Sequence, residues 1–203
     1  MGEEELVRLA AMRSEKRRRQ FIAGHWLARD AVAGFTRTSP NDWLLATATN
    51  GAPELYRRST GKVHGIHLSL SHSGEAIAAA IAPFPVGIDL ESTGRVRDWL
   101  ALASHAFAPE EIERLLALPE SDRQQLFYLY WTLKEAGGKR QGTGLHLSQA
   151  KAQCASACDE GEAIAITWQF DGLCVALMGE RDMRANARGI PVTAQQGFWR
   201  IDA

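Results

Sequence analysis

The chain has 203 residues, of which 45% are hydrophobic and 23% are charged, and its formal net charge is −1. This hydrophobic content can bury a core as one domain or two small subdomains, which argues against a disordered chain. The nearly neutral charge argues against a general nucleic-acid partner, so any anion site must be local. No stretch is apolar enough to span a membrane and the start lacks a secretory signal pattern, so we expect a cytoplasmic protein.

The first part of the chain predicts helices followed by a loop-rich segment. From Glu4 to about Val32, apolar residues recur at helical spacing without a proline, which predicts one or two helices. From Gly34 to Gly61 the composition turns to Thr, Ser, Pro, Asn and Gly, which predicts loops with at most a short strand.

Two hairpins are predicted by pairs of apolar runs that turn residues separate. The first joins residues 66–70 to 76–82, and the second joins 164–170 to 173–178 through Asp171-Gly172. Helical periodicity follows residue 95, and one of these helices is predicted from Leu126 to about Lys139. Three cysteines without a CxxC pair, Cys154, Cys158 and Cys174, are typical of reduced thiols.

Carboxylates and lysines are concentrated at two places. Asp89 and Glu91 alternate with apolar residues on a strand and therefore share a face, where like charges repel unless a cation lies between them. Glu135 and Lys139 share one face of the predicted helix, and Lys134 lies beside it. Carboxylate oxygens suit Mg²⁺, which leaves coordination positions for phosphate oxygens. The pattern indicates a metal and phosphate site, although each residue alone fits an ordinary surface or core role.

A weak internal repeat accompanies these elements. Gln20, Trp26 and Arg29 have the same mutual spacing as Gln125, Trp131 and Lys134, and each of the two helices precedes an apolar hairpin. Three matched positions can arise by chance, so a duplicated α+β unit and coincidence both remain open.

Several short motifs occur in a characteristic order. They are Gly51-Ala52-Pro53, Ser71-His72-Ser73, Gly87-Ile88-Asp89-Leu90-Glu91, Phe107 to Glu111, Trp131 to Ala136, Lys139 and Gly142-Thr143-Gly144. In these motifs the chain resembles the 4′-phosphopantetheinyl transferases of the longer, pseudo-dimeric kind. The resemblance implies transfer of phosphopantetheine from coenzyme A to a serine of an apo acyl, peptidyl or polyketide carrier protein, with Mg²⁺ as cofactor. It also implies an α+β fold of two similar halves, residues 1–94 and 95–203, each with a small antiparallel sheet packed on helices.

The resemblance also implies roles for individual residues. The metal ligands fall on Asp89, Glu91 and Glu135, which should converge on one ion where the two halves meet. Glu135, Lys139 and Glu91 are the expected catalytic residues, and the general base is either Glu135 or a water held by the metal ligands. The expected substrate-binding residues are Arg29, Ser71, His72, Lys134, Lys139, Lys16 and Arg19. Ala52 stands where the family often has a lysine, which leaves the contacts at the nucleotide end open.

Two other functions remain possible at this stage. One is a non-catalytic family member that only binds coenzyme A or a carrier protein, for which Ala52 is the only sign. The other is a zinc hydrolase that uses His64, His67 and His72 near the two strand carboxylates, although their spacing does not match a helical HExxH motif.

Overall fold

The structure is a computed structural model that describes residues 1–94, 98–181 and 183–202. Within these ranges the chain forms helices and antiparallel strands in the order α1 (Glu3–Ala11), α2 (Glu15–Thr36), β1 (Trp43–Thr47), β2 (Pro53–Arg57), β3 (Gly61–Lys62), β4 (His67–Ser73), β5 (Ala76–Ala82), β6 (Gly87–Ser92), α3 (Trp99–Ala106), α4 (Pro109–Ala117), α5 (Glu120–Gln141), α6 (Leu147–Lys151), β7 (Cys154–Ala157), β8 (Ala165–Phe170), β9 (Leu173–Met178) and β10 (Gln195–Asp202). No helix in the described ranges is long and apolar enough to cross a membrane.

The strands form small antiparallel sheets, as the sequence predicted. One sheet has the order β1-β2-β3, a second consists of β4 and β5, and a third has the order β6-β9-β8-β10-β7. Helix α2 packs against β4 and β5, and α5 packs against β6 and β9. The mixed α+β class is therefore confirmed.

Both predicted hairpins are confirmed. Ser73 pairs with Ala76 across the first turn, where Gly74 has a positive φ of 62°. Phe170 pairs with Leu173 across the second, where Asp171 and Gly172 have φ values of 48° and 70°. Two consecutive left-handed residues are typical of the tight turns that match strand twist, which explains the Asp-Gly sequence.

The segment from Gly34 to Gly61 is more ordered than its composition predicted. It contains β1, β2 and β3, and buries Trp43, Leu45 and Leu55 against the apolar face of α2. These strands are short and have turn residues at their ends, so the local composition does not indicate strands. The C-terminal strand β10 was also missed, because it is half exposed and owes its order to pairing with β7 and β8.

Strand β6 connects the two parts of the chain. It precedes residue 95, yet it pairs along its whole length with β9, from Gly87 opposite Met178 to Ser92 opposite Leu173. The largest sheet therefore contains a strand from the expected first half. The expected boundary at residues 94 and 95 falls at the edge of a gap in the described residues, and the division into two halves stays a prediction.

Strand β6 also lies very close to α5, and Gly87 permits this approach. A Cβ atom at Gly87 would lie 1.9 Å from the carbonyl oxygen of Ala136 and 2.5 Å from the backbone nitrogen of Arg140. The glycine that opens the Gly-Ile-Asp-Leu-Glu motif thus sets the distance between β6 and the helix that carries Glu135 and Lys139.

The substitution Gly87→Ala is expected to lower the free energy of unfolding by about 1–3 kcal/mol, because the strand or the helix must move. Thermal or urea unfolding would measure the loss. Gly94→Ala is the matched control, since nothing lies within 4 Å of its added Cβ. Equal stability of the two variants would contradict the close contact.

Candidate active site

Asp89 and Glu91 lie on the same face of β6, as the alternation predicted. Ile88 and Leu90 point to the opposite face and pack in an apolar cluster with Trp168. The hydroxyl of Ser71 donates to Asp89 Oδ1 at 2.8 Å, and the hydroxyl of Ser73 donates to Glu91 Oε2 at 2.9 Å. Strand β4 therefore holds one oxygen of each carboxylate.

Helix α5 brings Lys139 to the same carboxylate. The Lys139 Nζ atom lies 2.7 Å from Asp89 Oδ1 and 3.3 Å from the carbonyl oxygen of Leu70. The Asp89 side chain is 8% exposed and that of Lys139 is 27% exposed, so solvent screens this ion pair only in part. Residues from β4, β6 and α5 thus meet at Asp89.

The second oxygen of Asp89 is left open. Asp89 Oδ2 is buried and has no hydrogen-bond partner in the part of the chain that the structure describes. A buried polar atom without a partner costs free energy unless a ligand, an ion or water satisfies it. A carboxylate oxygen is also the donor that Mg²⁺ prefers, so the residues at this position fit a divalent cation.

Glu135 lies one helical turn before Lys139 and is half buried. Among the described residues, however, no group of three or more His, Cys, Asp or Glu side chains is arranged to hold a metal ion. The expected convergence of Asp89, Glu91 and Glu135 is therefore not found in this arrangement. In this arrangement the positive charge beside Asp89 is the Lys139 ammonium. The assignment of these residues as metal ligands or catalytic groups stays a prediction.

The Lys134 side chain lies in the protein interior and does not contact Asp89, and its predicted role in binding the substrate stays a prediction. Its side chain is 2% exposed and forms an ion pair of 2.9 Å with the fully buried Glu111. It also donates to the carbonyl oxygens of Ala150, at 2.8 Å, and of Gln153. All of its hydrogen-bonding capacity is used inside the protein, so Lys134 has no donor left for a substrate phosphate.

Arg29 is likewise engaged inside the protein instead of at a phosphate. Its guanidinium donates to both carboxylate oxygens of Glu5, to the carbonyl oxygen of His25 at 3.0 Å and to that of Trp43 at 3.1 Å. Both Arg29 and Glu5 are buried. In this structure the Arg29 donors connect α2 to α1 and β1, and the role of Arg29 in binding a phosphate stays a prediction.

Glu5 is the centre of that N-terminal contact. Burial alone would raise the pKa of Glu5, but hydrogen bonds from the Gly2 backbone, His25 and Arg29 outweigh it and lower the pKa below 4.5. A carboxyl with a lowered pKa stabilises the folded state above its unfolded pKa, and the stabilisation is lost as the pH falls through the folded pKa.

Glu5→Gln is expected to lower the free energy of unfolding by about 2 kcal/mol near neutral pH, because it removes the charged acceptor of several buried hydrogen bonds. Urea unfolding should show that this difference shrinks as the pH falls below 4.5. The exposed neighbour Glu4 supplies the control Glu4→Gln, for which little change is expected at any pH. A pH-independent difference would contradict the role of the Glu5 charge.

The remaining basic candidates lie around the turn between β4 and β5. His72 is exposed on β4, and Lys16 forms an ion pair of 3.0 Å with Glu75 in the turn. The Arg19 charge also acts on Glu75, whose pKa is lowered first by the Lys16 hydrogen bond and, to a smaller extent, by Arg19. These three side chains are accessible to an anion, and their role in binding one stays a prediction.

Two motif loops also meet. The side-chain amide of Asn50, which precedes Gly51-Ala52-Pro53, donates to the carbonyl oxygen of Gly142 at 2.8 Å. The loop that contains Ala52 therefore contacts the Gly142-Thr143-Gly144 loop at the end of α5.

Ser69 was not selected from the sequence and Ser73 was named only as part of a motif, although the same period-two pattern that placed Asp89 and Glu91 on one face also places these serines beside Ser71. Glu111 was seen only as part of a motif. Its partnership with Lys134 could not be found locally, because the two residues lie on different helices, α4 and α5.

A model of the 4′-phosphopantetheinyl transferase superfamily matches residues 85–177. The chain is also 33% identical over 146 residues to the 4′-phosphopantetheinyl transferase HetI of Nostoc sp. strain PCC 7120, an alignment that covers 71% of this chain and 61% of the relative. It is 36% identical over 126 residues to the 4′-phosphopantetheinyl transferase Sfp of Bacillus subtilis strain 168, with 62% and 53% covered.

The chain belongs to the 4′-phosphopantetheinyl transferase superfamily.

The matched superfamily segment contains the strand and helix that carry the candidate carboxylates. Residues 85–177 include Asp89, Glu91, Glu135 and Lys139, whereas Ser71 and His72 precede the segment. The alignments with HetI and Sfp span 61% and 53% of those relatives, so this chain matches a little more than half of their length. A third superfamily member, psf-1 of Bacillus pumilus, is 29% identical, with 63% of this chain and 52% of that protein covered.

Proposed function

We propose that this protein transfers the 4′-phosphopantetheine group from coenzyme A to a serine of an apo carrier protein. The products would be the holo carrier protein and adenosine 3′,5′-bisphosphate. The observation that carries this proposal is the arrangement at Asp89, where a buried, unpartnered carboxylate oxygen lies beside the Lys139 ammonium within the superfamily segment. The names of the relatives, all 4′-phosphopantetheinyl transferases, support the same reaction.

Asp89, Glu91 and Glu135 would hold the divalent cation, which we propose to be Mg²⁺. When bound, the cation would neutralise charge on the phosphates of coenzyme A. No three His, Cys, Asp or Glu side chains among the described residues are arranged for a metal ion, so the three carboxylates would have to come closer together to bind one. The open Oδ2 atom of Asp89 supports this position over any other in the described chain.

Lys139 would bind the phosphate chain directly. Its ammonium lies beside Asp89 and is only partly buried, so a phosphate that enters from solvent can accept a hydrogen bond from it. The attacking serine hydroxyl is a weak nucleophile at its ordinary pKa and needs help to lose its proton. Glu135, one turn away on the same face of α5, or a water held by the carboxylates would accept that proton.

The nucleotide end of coenzyme A would lie near the turn between β4 and β5. Exposed His72 on β4 and the basic residues Lys16 and Arg19 on α2 supply positive charge on this side of the molecule. A phosphate bound here would compete with Glu75 for Lys16. This region replaces buried Arg29 as the proposed site of the nucleotide phosphate.

We also propose that the fold is an internal pseudo-dimer. Helices α2 and α5 both have 22 residues, and each packs against an antiparallel hairpin or its neighbouring strand. The site would then lie where the two halves meet, at β6 of the first half and α5 of the second. Three free cysteines in the structure, Cys154, Cys158 and Cys174, support the proposed cytoplasmic location, because a reducing compartment keeps thiols unpaired.

The test is incubation of the protein with coenzyme A, Mg²⁺ and a panel of apo acyl, peptidyl and polyketide carrier proteins, followed by intact-mass analysis. We expect one phosphopantetheine adduct on at least one carrier. The adduct should be absent when the acceptor serine of that carrier is replaced by alanine or when adenosine 3′,5′-bisphosphate replaces coenzyme A. Binding of coenzyme A without an adduct on any carrier would refute the transferase and favour a binding-only protein.

A further inference from the structure

Three serines of β4 form a row that faces β6. Ser69, Ser71 and Ser73 alternate with Leu70 and His72, so their side chains project from one face of the strand. All three are buried. Strands β4 and β6 belong to different sheets, and the hydroxyls of this serine row bridge them.

The members of the serine row have different partners. Ser69 Oγ accepts from the backbone nitrogen of Ile88 at 3.0 Å, whereas Ser71 and Ser73 donate to the carboxylates of Asp89 and Glu91. Ser73 Oγ also accepts from the backbone nitrogen of Ser92 at 3.1 Å. Because this N–H occupies a lone pair of the Ser73 hydroxyl, the hydroxyl proton is directed to Glu91.

We propose that Ser71 and Ser73 are positioning residues that orient Asp89 and Glu91 for a divalent cation. This inference rests on the proposed function. It also replaces the earlier prediction that Ser71 contacts the substrate, because the buried Ser71 hydroxyl is committed to Asp89. The role of Ser71 and Ser73 is to hold each carboxylate from the side opposite to the cation.

The hydrogen bonds at Asp89 give the physical basis. Both donors, Ser71 and Lys139, approach Oδ1, and Oδ2 is left without a partner among the described residues. A hydroxyl donates one proton and therefore fixes one oxygen while it leaves the other accessible to a cation. Partners that orient metal ligands in this way typically change metal affinity by about 10–100-fold when they are removed.

Ser69 provides a control within the same row. It is buried to the same degree and also bridges β4 to β6, but its partner is a backbone nitrogen. Ser69→Ala therefore removes a comparable structural hydrogen bond without changing a carboxylate. A merely structural role of the row predicts equal effects of all three alanine substitutions on cation binding.

The experiment measures Mn²⁺ binding to the purified protein alone, by electron paramagnetic resonance of the free ion. Ser71→Ala and Ser73→Ala are expected to weaken Mn²⁺ binding by about 10–100-fold. Ser69→Ala should leave the affinity within about two-fold, and Asp89→Asn should abolish binding. Circular dichroism and urea unfolding would show that every variant is folded, so that the Mn²⁺ affinities compared are those of folded proteins.

A second pair of variants separates the hydroxyl from side-chain packing. Ser73→Thr and Ser73→Val have nearly the same shape, but only threonine keeps the hydroxyl. We expect Ser73→Thr to retain Mn²⁺ binding within a few-fold and Ser73→Val to lose it to the same extent as Ser73→Ala. Equal affinities of the threonine and valine variants would overturn the inference, as would equal effects at Ser69, Ser71 and Ser73.

The outcomes distinguish this inference from the proposed function. If the wild-type protein transfers phosphopantetheine but all three serine variants bind Mn²⁺ equally, the positioning role is wrong and the transferase stands. If the serine pattern holds and no carrier is modified, the cation site is supported and the transferase is refuted. If the wild-type protein binds no Mn²⁺, the positioning role is overturned, and the carrier assay alone then judges the transferase.

Discussion

Asp89→Asn is expected to reduce phosphopantetheine transfer by at least about a thousand-fold while the protein stays folded. Asparagine keeps the size of aspartate, and its carbonyl oxygen can still accept the Ser71 hydroxyl. It removes the charge that pairs with Lys139 at 2.7 Å and that would bind the cation at Oδ2. Loss of a charged ligand at a phosphoryl-transfer site costs several kcal/mol of transition-state stabilisation, and each 1.36 kcal/mol is a factor of ten in rate.

The measurement is the initial rate of holo-carrier formation by intact mass, with circular dichroism to show that the variant is folded. Asp202→Asn is the control, because Asp202 is exposed on β10 and, among the described residues, its side chain accepts a hydrogen bond only from Arg200. Its rate should stay within about two-fold of the wild type, since exposed pairs of this kind contribute little. A near-normal rate for Asp89→Asn would show that the Asp89 carboxylate is not needed for the reaction.

Lys134→Met is expected to lower the free energy of unfolding by about 3–5 kcal/mol, because it leaves the buried Glu111 carboxylate without its cation. The Glu111 carboxylate also accepts from the backbone nitrogens of Ala108 at 2.9 Å and Ala155 at 2.7 Å, and these bonds offset only part of the loss. Burial lowers the pKa of Lys134 and the Glu111 charge opposes this effect, so the ion pair is retained against a cost of desolvation.

Urea unfolding near neutral pH measures this loss. The double variant Lys134→Met with Glu111→Gln should be more stable than Lys134→Met alone, since no unpaired charge remains in the core. Lys151→Met is the control, because Lys151 is exposed and donates only to the carbonyl oxygen of Ser104 among the described contacts. We expect it to change stability by less than about 0.5 kcal/mol.

The same variants decide between two roles of Lys134. A residue that contacts substrate phosphate would raise the KM for coenzyme A when replaced and would leave stability nearly unchanged. The structure predicts the reverse, a large loss of stability with little change in the KM of the folded enzyme. A stable Lys134→Met protein with a ten-fold higher KM for coenzyme A would instead support a contact between Lys134 and a substrate phosphate.

Much of the fold could be predicted because it follows from local patterns. The Asp171-Gly172 turn requires two left-handed residues, and the sequence supplies residues that adopt them readily. The long helix α5 was predicted from its apolar periodicity. The sheet formed by β1, β2 and β3 was not, because its short strands are stabilised by burial of Trp43, Leu45 and Leu55 against α2, a distant part of the chain.

The candidate site was predicted only in part. The sequence located Asp89 and Glu91 on one face, and the structure adds that Lys139 meets Asp89. The sequence could not show which basic residues are free to bind a phosphate, because the role of a basic side chain depends on the acidic side chains that the fold places beside it. Glu5 neutralises Arg29 and Glu111 neutralises Lys134, and each pair joins separate helices.

By itself, the sequence determined the α+β class, the two hairpins and the order of motifs that identifies the superfamily, since strand alternation, helical periodicity and turn chemistry are local properties. Only the tertiary structure decided that Lys134 and Arg29 are buried in ion pairs, and that serines of β4 hold the carboxylates of β6. These contacts join residues from different elements, so their energies depend on distances and burial that no local pattern encodes.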